Sequence, residues 1–226
     1  MDLDKKIEKF VSSKTFRLMH PSLKSDKEFI MEMIKSKPYG VEYVSESLLT
    51  DDSFILDMCK IDLRVLSNIK NENIVEILKE NPSFAFDLVE LNGEMIEFFS
   101  DKIRNDDRII NKALVQILSS KPNLDKINER KLFSDKQIAT FFSNEGRVIQ
   151  VKEKIKSNMI NSINNFHGNK VELENYGNEI LAKVTDSIEA ISKIQQEYVT
   201  SAQQTKEKNE DLKNMIQDLK IKIQEL

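Results

Sequence analysis

The residues that could do chemistry are few and scattered. There are two histidines, His20 and His167, and one cysteine, Cys59. Neither histidine has a partner at HExxH or Cys/His spacing, so no zinc-ligand pattern is present. The five glycines are isolated and form no phosphate-cradling loop. Asp51-Asp52 and Asp106-Asp107 are the acidic pairs. Each stands where a helix should begin, and capping a helix N-terminus accounts for them more simply than acid–base work. No run of alternating acids with a closing Glu suggests a calcium loop. Ser45, Ser100 and Ser143 have no His nearby in sequence, and are expected to pack in helices with back-bonded hydroxyls. Cys59 sits in the apolar run Ile55-Leu56-Asp57-Met58 and reads as a buried small hydrophobe. His20, before Pro21, reads as a helix-terminal residue; His167 reads as a solvated turn residue. Phe98-Phe99 and Phe141-Phe142 could stack nucleic-acid bases, but lack interleaved Lys and Arg and read as core. No catalytic, cofactor-binding or metal-ligating residue is assigned, and a non-enzymatic protein is expected.

The elements that would have to position such residues are all helical. The 226 residues include only five Gly and four Pro, which disfavours turn-rich β and βα folds. Hydrophobic residues make up 39% and charged residues 32%. An average globular chain has roughly 45–50% and about 25%. Part of the chain is therefore expected to be solvated helix with little core. All twelve Phe lie at or before Phe166, which places the core in the N-terminal two-thirds.

A template recurs in that region: an apolar residue, two spacers, Asp or Asn, two spacers, then an apolar pair. It reads Leu23…Asp26…Phe29-Ile30, Leu48…Asp51…Phe54-Ile55 and Ile103…Asp106…Ile109-Ile110. Weaker copies centre on Asn71, Asn92 and Asp135. Each predicts a capped helix start followed by a buried stripe. Ser36-Lys37-Pro38, Glu80-Asn81-Pro82 and Ser120-Lys121-Pro122 are expected to close helices, because proline cannot continue one. The longest internal match pairs Tyr43–Leu48 with Phe98–Ile103. The fold expected for residues 1–146 is an irregular helical repeat, either solenoid-like or a compact bundle.

Lys37-Pro38 through Met58 and Asn81-Pro82 through Leu114 resemble a family of short helical repeats of unknown function. That family occurs in giant viruses, large phages and some bacteria. The resemblance runs from about residue 23 to 145. It departs from the family pattern where Val44 and Phe99 stand in place of Ala. It implies a helical-repeat fold and no activity.

Beyond Gly146, Val148, Val151, Ile155, Met159, Ile163 and Phe166 mark one side of a helix. His167-Gly168-Asn169 is the expected turn, and residues 147–178 the linking region. Residues 179–226 then step by three and four: Leu181, Val184, Ile188, Ile191, Gln195, Tyr198, Ala202, Thr205, Asn209, Leu212, Ile216, Leu219, Ile223 and Leu226. That is a coiled-coil register. With Leu181 at a, Asn209, Ile216 and Ile223 fall at a, and Leu212, Leu219 and Leu226 at d. Ile at a with Leu at d, and a lone Asn at a, favour a parallel dimer. The oligomerisation residues expected are Asn209, Leu212, Ile216, Leu219 and Ile223. A hairpin folded back on 148–166 is the other reading.

Net charge is −4. Residues 1–146 carry 22 basic and 26 acidic side chains, and 147–226 carry 12 of each. No field draws the chain to nucleic acid or anionic lipid. The local cluster Arg147, Lys152, Lys154 and Lys156 reads as a solvated face. No apolar run is long enough to span a bilayer, and MDLDKKIEKF is no secretory signal. A cytoplasmic location is expected, or host cytoplasm or virion for a viral protein. The function expected is a protein–protein interaction module, a helical-repeat head carried by a dimerising coiled coil, with an unknown protein as partner. The alternative is a structural or assembly component of a phage or virus particle or other large complex.

Overall fold

The computed structural model describes the backbone of residues 19–120, 130–166 and 170–224, and no β-strand occurs among them. The chain divides into two compact units, Met1–Ala113 and Leu114–Leu226. No helix among the described residues is long and apolar enough to cross a membrane.

The first unit is a succession of short capped helices. They are α1 (Pro21–Lys24), α2 (Lys27–Ser36), α3 (Glu46–Leu49), α4 (Asp52–Ile61), α5 (Arg64–Asn68), α6 (Glu72–Lys79), α7 (Pro82–Leu91) and α8 (Asp101–Arg104). Segments Pro38–Tyr43 and Gly93–Phe98 are 3-10 helices. Helix α9 (Asp107–Ser120) begins in this unit.

The caps fall where the template puts them. Asp26 accepts the Phe29 N–H at 3.0 Å, and Asp51 accepts that of Phe54 at 3.1 Å. Asn71 accepts from Asn73 and Ile74, and Asp106 accepts from Arg108 at 2.9 Å. Each bond satisfies a first-turn donor that the helix itself cannot. Two assignments shift. Asn92 caps the 3-10 segment through the Glu94 N–H. At the Asp135 copy the cap is Ser134, which forms a reciprocal capping box with Gln137. Two further caps are not among the copies named from the sequence. Asn81 accepts from Ser83 and Phe84, and Asn144 accepts from Arg147. Pro82 accordingly opens α7 at its first position rather than merely closing α6.

Asp26–Met58 recurs as Asn81–Ala113, fifty-five residues on. Phe29 and Phe84, Met33 and Leu88, Ile34 and Val89, Val41 and Ile96, Val44 and Phe99, and Ile55 and Ile110 are buried at matching positions. Both copies break the first helix with a residue in extended backbone, Lys37 at φ −150° and Asn92 at φ −151°. A 3-10 segment follows in each, so the next apolar residue, Val41 or Ile96, still reaches the core. At Gly40 an added Cβ would lie 2.8 Å from the Met33 methyl. The second copy has Met95 there, with the shorter Leu88 opposite in place of Met33.

The second unit contains α10 (Asp135–Phe142), α11 (Glu145–Asn164) and α12 (Lys170–Gln224). Helix α12 packs on both α10 and α11. Val148, Val151 and Ile155 of α11, Phe141 and Phe142 of α10, and Ile191 of α12 are buried. Near the turn Phe166 stacks on Tyr176, with centroids 4.7 Å apart. The expected turn, His167-Gly168-Asn169, lies outside the described residues, as do Lys121 and Pro122.

Candidate interaction surfaces

Among the described residues singled out for chemistry, Cys59, His20, Asp51, Asp52 and Asp106 have structural roles; His167 lies outside the described residues. Cys59 is buried, and burial, with Asp62 nearby, pushes its thiol up to about 12. Asp51 both caps α4 and pairs with Lys27 at 2.7 Å. Its carboxyl is held below the usual range first by the Lys27 hydrogen bond and then by the Phe54 N–H. Asp106 is lowered first by the Arg108 guanidinium. Asp52 accepts from the Asn81 amide. Every acid of these two pairs except Asp107 thus has a named structural partner, and no like-charged pair is buried. His20 caps α1, its Nδ1 lying 2.7 Å from the Ser22 hydroxyl. No cluster of three metal-ligating side chains occurs among the described residues.

Phe99 meets Phe84 and Phe98 edge-on, and Phe141 meets Phe142 edge-on. Phe99, Phe141 and Phe142 are buried and Phe98 is half-buried, so three of these four rings are core. Of the three serines, only Ser143 is back-bonded, donating to the Thr140 carbonyl at 2.9 Å. Ser45 and Ser100 stand instead at the starts of α3 and α8. Their backbone N–H groups donate to the Lys24 and Lys79 carbonyls, at 2.9 and 3.2 Å. That pair of bonds, at matching positions in the two copies, ties each short helix back to the helix before its repeat. The Ser100 hydroxyl is buried without a hydrogen-bond partner.

A groove of about 510 Å3 runs between α2 and α4, lined by Lys27, Glu28, Met31, Glu32, Asp51 and Phe54. Lys27 bonds Asp51 and lies 5.1 Å from the Phe54 ring centre. In the basic cluster at the start of α11, Lys156 is exposed while Arg147, Lys152 and Lys154 are half-buried. Lys156 pairs with Glu153, and Arg147 reaches the Thr140 carbonyl.

The most extended surface is on α12, and its apolar seam changes occupant along its length. Leu181 is exposed, Val184 and Ile188 are half-buried, and Ile191 is buried. Tyr198 stacks on Phe142 of α10. The hairpin arrangement therefore holds for this stretch: the chain's own α10 and α11 cover the seam. From Thr200 to Met215 every residue is exposed. Of the five expected oligomerisation residues, Asn209 and Leu212 lie on this uncovered stretch, with Leu212 55% exposed. The side chains of Ile216, Leu219 and Ile223 lie outside the described residues. Met215, 60% exposed, flanks the same seam.

A second feature of the stretch is found by sorting charges by heptad position, not apolar residues alone. All five lysines of residues 201–226 fall beside the seam, Lys206, Lys213 and Lys220 at e, and Lys208 and Lys222 at g. All five acids, Glu207, Glu210, Asp211, Asp218 and Glu225, fall at the outward b, c and f positions. Before Tyr198 the flanks are uncharged: Thr185 and Ser192 at e, Ser187 and Ile194 at g.

Residues 11–48 and 26–74 match a family described as a domain of unknown function (DUF4116). The matched stretches take in α1 to α5 and the first residues of α6, and are similar to that family over part of the chain. No curated protein and no solved structure matches.

Proposed function

We propose that this chain is a non-enzymatic protein–protein interaction module. A helical-repeat unit and a docking helix, the distal part of α12, are carried on one polypeptide. The observation that carries this reading is the change of occupant along α12. Its heptad pattern continues past Tyr198, where the chain's own covering helices stop. A helix of this length with no packing of its own gains little from propensity alone and is stabilised by a partner. Asp51, Asp52 and Asp106 serve caps, ion pairs or side-chain hydrogen bonds, which supports a binding role for this chain over catalysis.

The recurrence of Asp26–Met58 as Asn81–Ala113 supports reading the DUF4116-like segment as one unit of a helical repeat. Stacked units of this kind build extended recognition surfaces. The groove between α2 and α4 is such a surface on the first copy.

Affinity capture of the full-length chain beside its Leu212→Asp variant, from cells of its source, tests the proposal. A stoichiometric partner held by the parent and lost by the variant supports it. A partner retained by the variant removes α12 from the account. Recovery of many components of one large particle with both proteins favours an assembly component instead.

A further inference from the structure

The uncovered stretch of α12 has a charge pattern that selects its occupant. In a parallel two-stranded coil, the g position of one heptad faces the e position of the partner's next heptad. Pairing with a second copy would set Lys208 against Lys213 and leave Lys206 and Lys220 facing uncharged Ser201 and Met215. An antiparallel pair of copies sets e against e and g against g, again lysine beside lysine. Like charges at these positions oppose pairing, and opposite charges choose the partner.

From this we infer that residues 202–224 of α12 dock a helix of another protein, one with an apolar a/d seam and acidic e and g positions. The inference rests on the interaction-module reading and names its partner class. Lys206, Lys208 and Lys213 are exposed and stand on both borders of the seam. Lys213 lies 3.7 Å from Glu210 one turn back, a solvated pair that a partner carboxylate can outcompete. The acids sit away from the seam, so they keep the outer face solvated without repelling an acidic partner. The expected parallel homodimer is disfavoured by the same lysines. A lipid surface is the weaker fit, because the apolar stripe is narrow and is broken by Thr205 and Asn209, while lipid-lying helices bury a broad apolar face.

The test uses the full-length chain and two designed helical peptides. Both carry Ile at a, with Asn opposite Asn209, and Leu at d; one has Glu at every e and g, its twin Lys. Titration by fluorescence anisotropy should show the Glu peptide binding at least about tenfold tighter than the Lys peptide, the gap narrowing as salt rises. The triple variant K206E/K208E/K213E should reverse the preference, and Leu212→Asp should abolish both complexes. Equal affinity for the two peptides, or a preference unchanged in the triple variant, overturns the acidic-partner inference while leaving the docking helix in place. Self-association as tight as the Glu complex also overturns it, as does Leu212-dependent binding to vesicles of phosphatidylserine and phosphatidylcholine without a peptide preference. If neither peptide binds and the chain sediments as a monomer, the docking role of α12 itself fails.

Discussion

The ring of Tyr198 lies nearly parallel to that of Phe142, with centroids 5.2 Å apart and planes 11° from each other. Among the residues described through Met215, this stack is the last point at which α12 rests on the rest of its own unit. From Val184 to this stack the seam is covered from within; after it, through Met215, every side chain is exposed.

Truncation on either side of this boundary should therefore have unequal effects. Tyr198→Ala removes a half-buried ring and its stacking partner contact, and should destabilise the second unit by about 1–3 kcal/mol. Leu212→Ala, on the uncovered stretch, should stay within about 0.5 kcal/mol in the isolated chain. Urea unfolding of the two variants beside the parent checks the contrast. Equal losses would mean that the distal seam is packed after all.

The same ring gives a pH dependence. Burial raises the Tyr198 phenol above its ordinary value, and Asp135 and Glu197 push it the same way. The folded state thus favours the protonated phenol. Its contribution is fully present below the unfolded value of about 10 and is lost as pH rises through the raised folded value. Tyr198→Phe should flatten this alkaline loss, which thermal unfolding between pH 9 and 11.5 measures. An unchanged alkaline slope would separate the loss from Tyr198.

Two cap positions should respond in opposite ways. Asn81 accepts two backbone N–H groups at 3.0 and 3.1 Å. Asn81→Ala should cost about 1–2 kcal/mol. Ser100 also stands at a helix start, but its hydroxyl accepts nothing and is buried without a partner. Ser100→Ala should be neutral or stabilising by up to about 1 kcal/mol, because it removes an uncompensated buried hydroxyl. Denaturant midpoints decide it, and a loss at Ser100 comparable to that at Asn81 would show that the hydroxyl does cap.

Cys59 should be inert in the folded protein. With its thiol pushed up to about 12, the thiolate fraction at neutral pH is on the order of one part in a hundred thousand. Labelling with a disulfide reagent should be negligible in buffer and reach one equivalent in guanidinium. Prompt native labelling would place Cys59 at the surface.

The helix starts were legible because an N-cap is a local device. Asp26, Asp51, Asn71 and Asp106 each need only a first-turn donor two or three residues on, so sequence spacing carries the whole signal. Asn144 falls outside the template because Arg147 stands where the apolar pair should begin, and Asn81, though Leu78 precedes it and Phe84-Ala85 follow it at template spacing, is hidden by Pro82, which reads from sequence as a helix stop. The 3-10 segments were not legible. They arise where Lys37 and Asn92 stop a helix while Val41 and Ile96 must still reach the core, which is a tertiary demand. The heptad run was plain from Leu181 onward, but periodicity reports only that a face is apolar. Whether that face meets the chain's own Phe142 or another molecule depends on where α10 and α11 end, and only the fold shows that.

Hydrogen exchange along α12 of the full-length chain is the most direct test of the central claim. The account predicts slow exchange from about Val184 to Tyr198 and fast exchange from Ala202 onward, with protection of the distal stretch appearing when the Glu-flanked peptide is added. Uniform protection through residue 224 in the chain alone, or no gain of protection with the peptide, would contradict it.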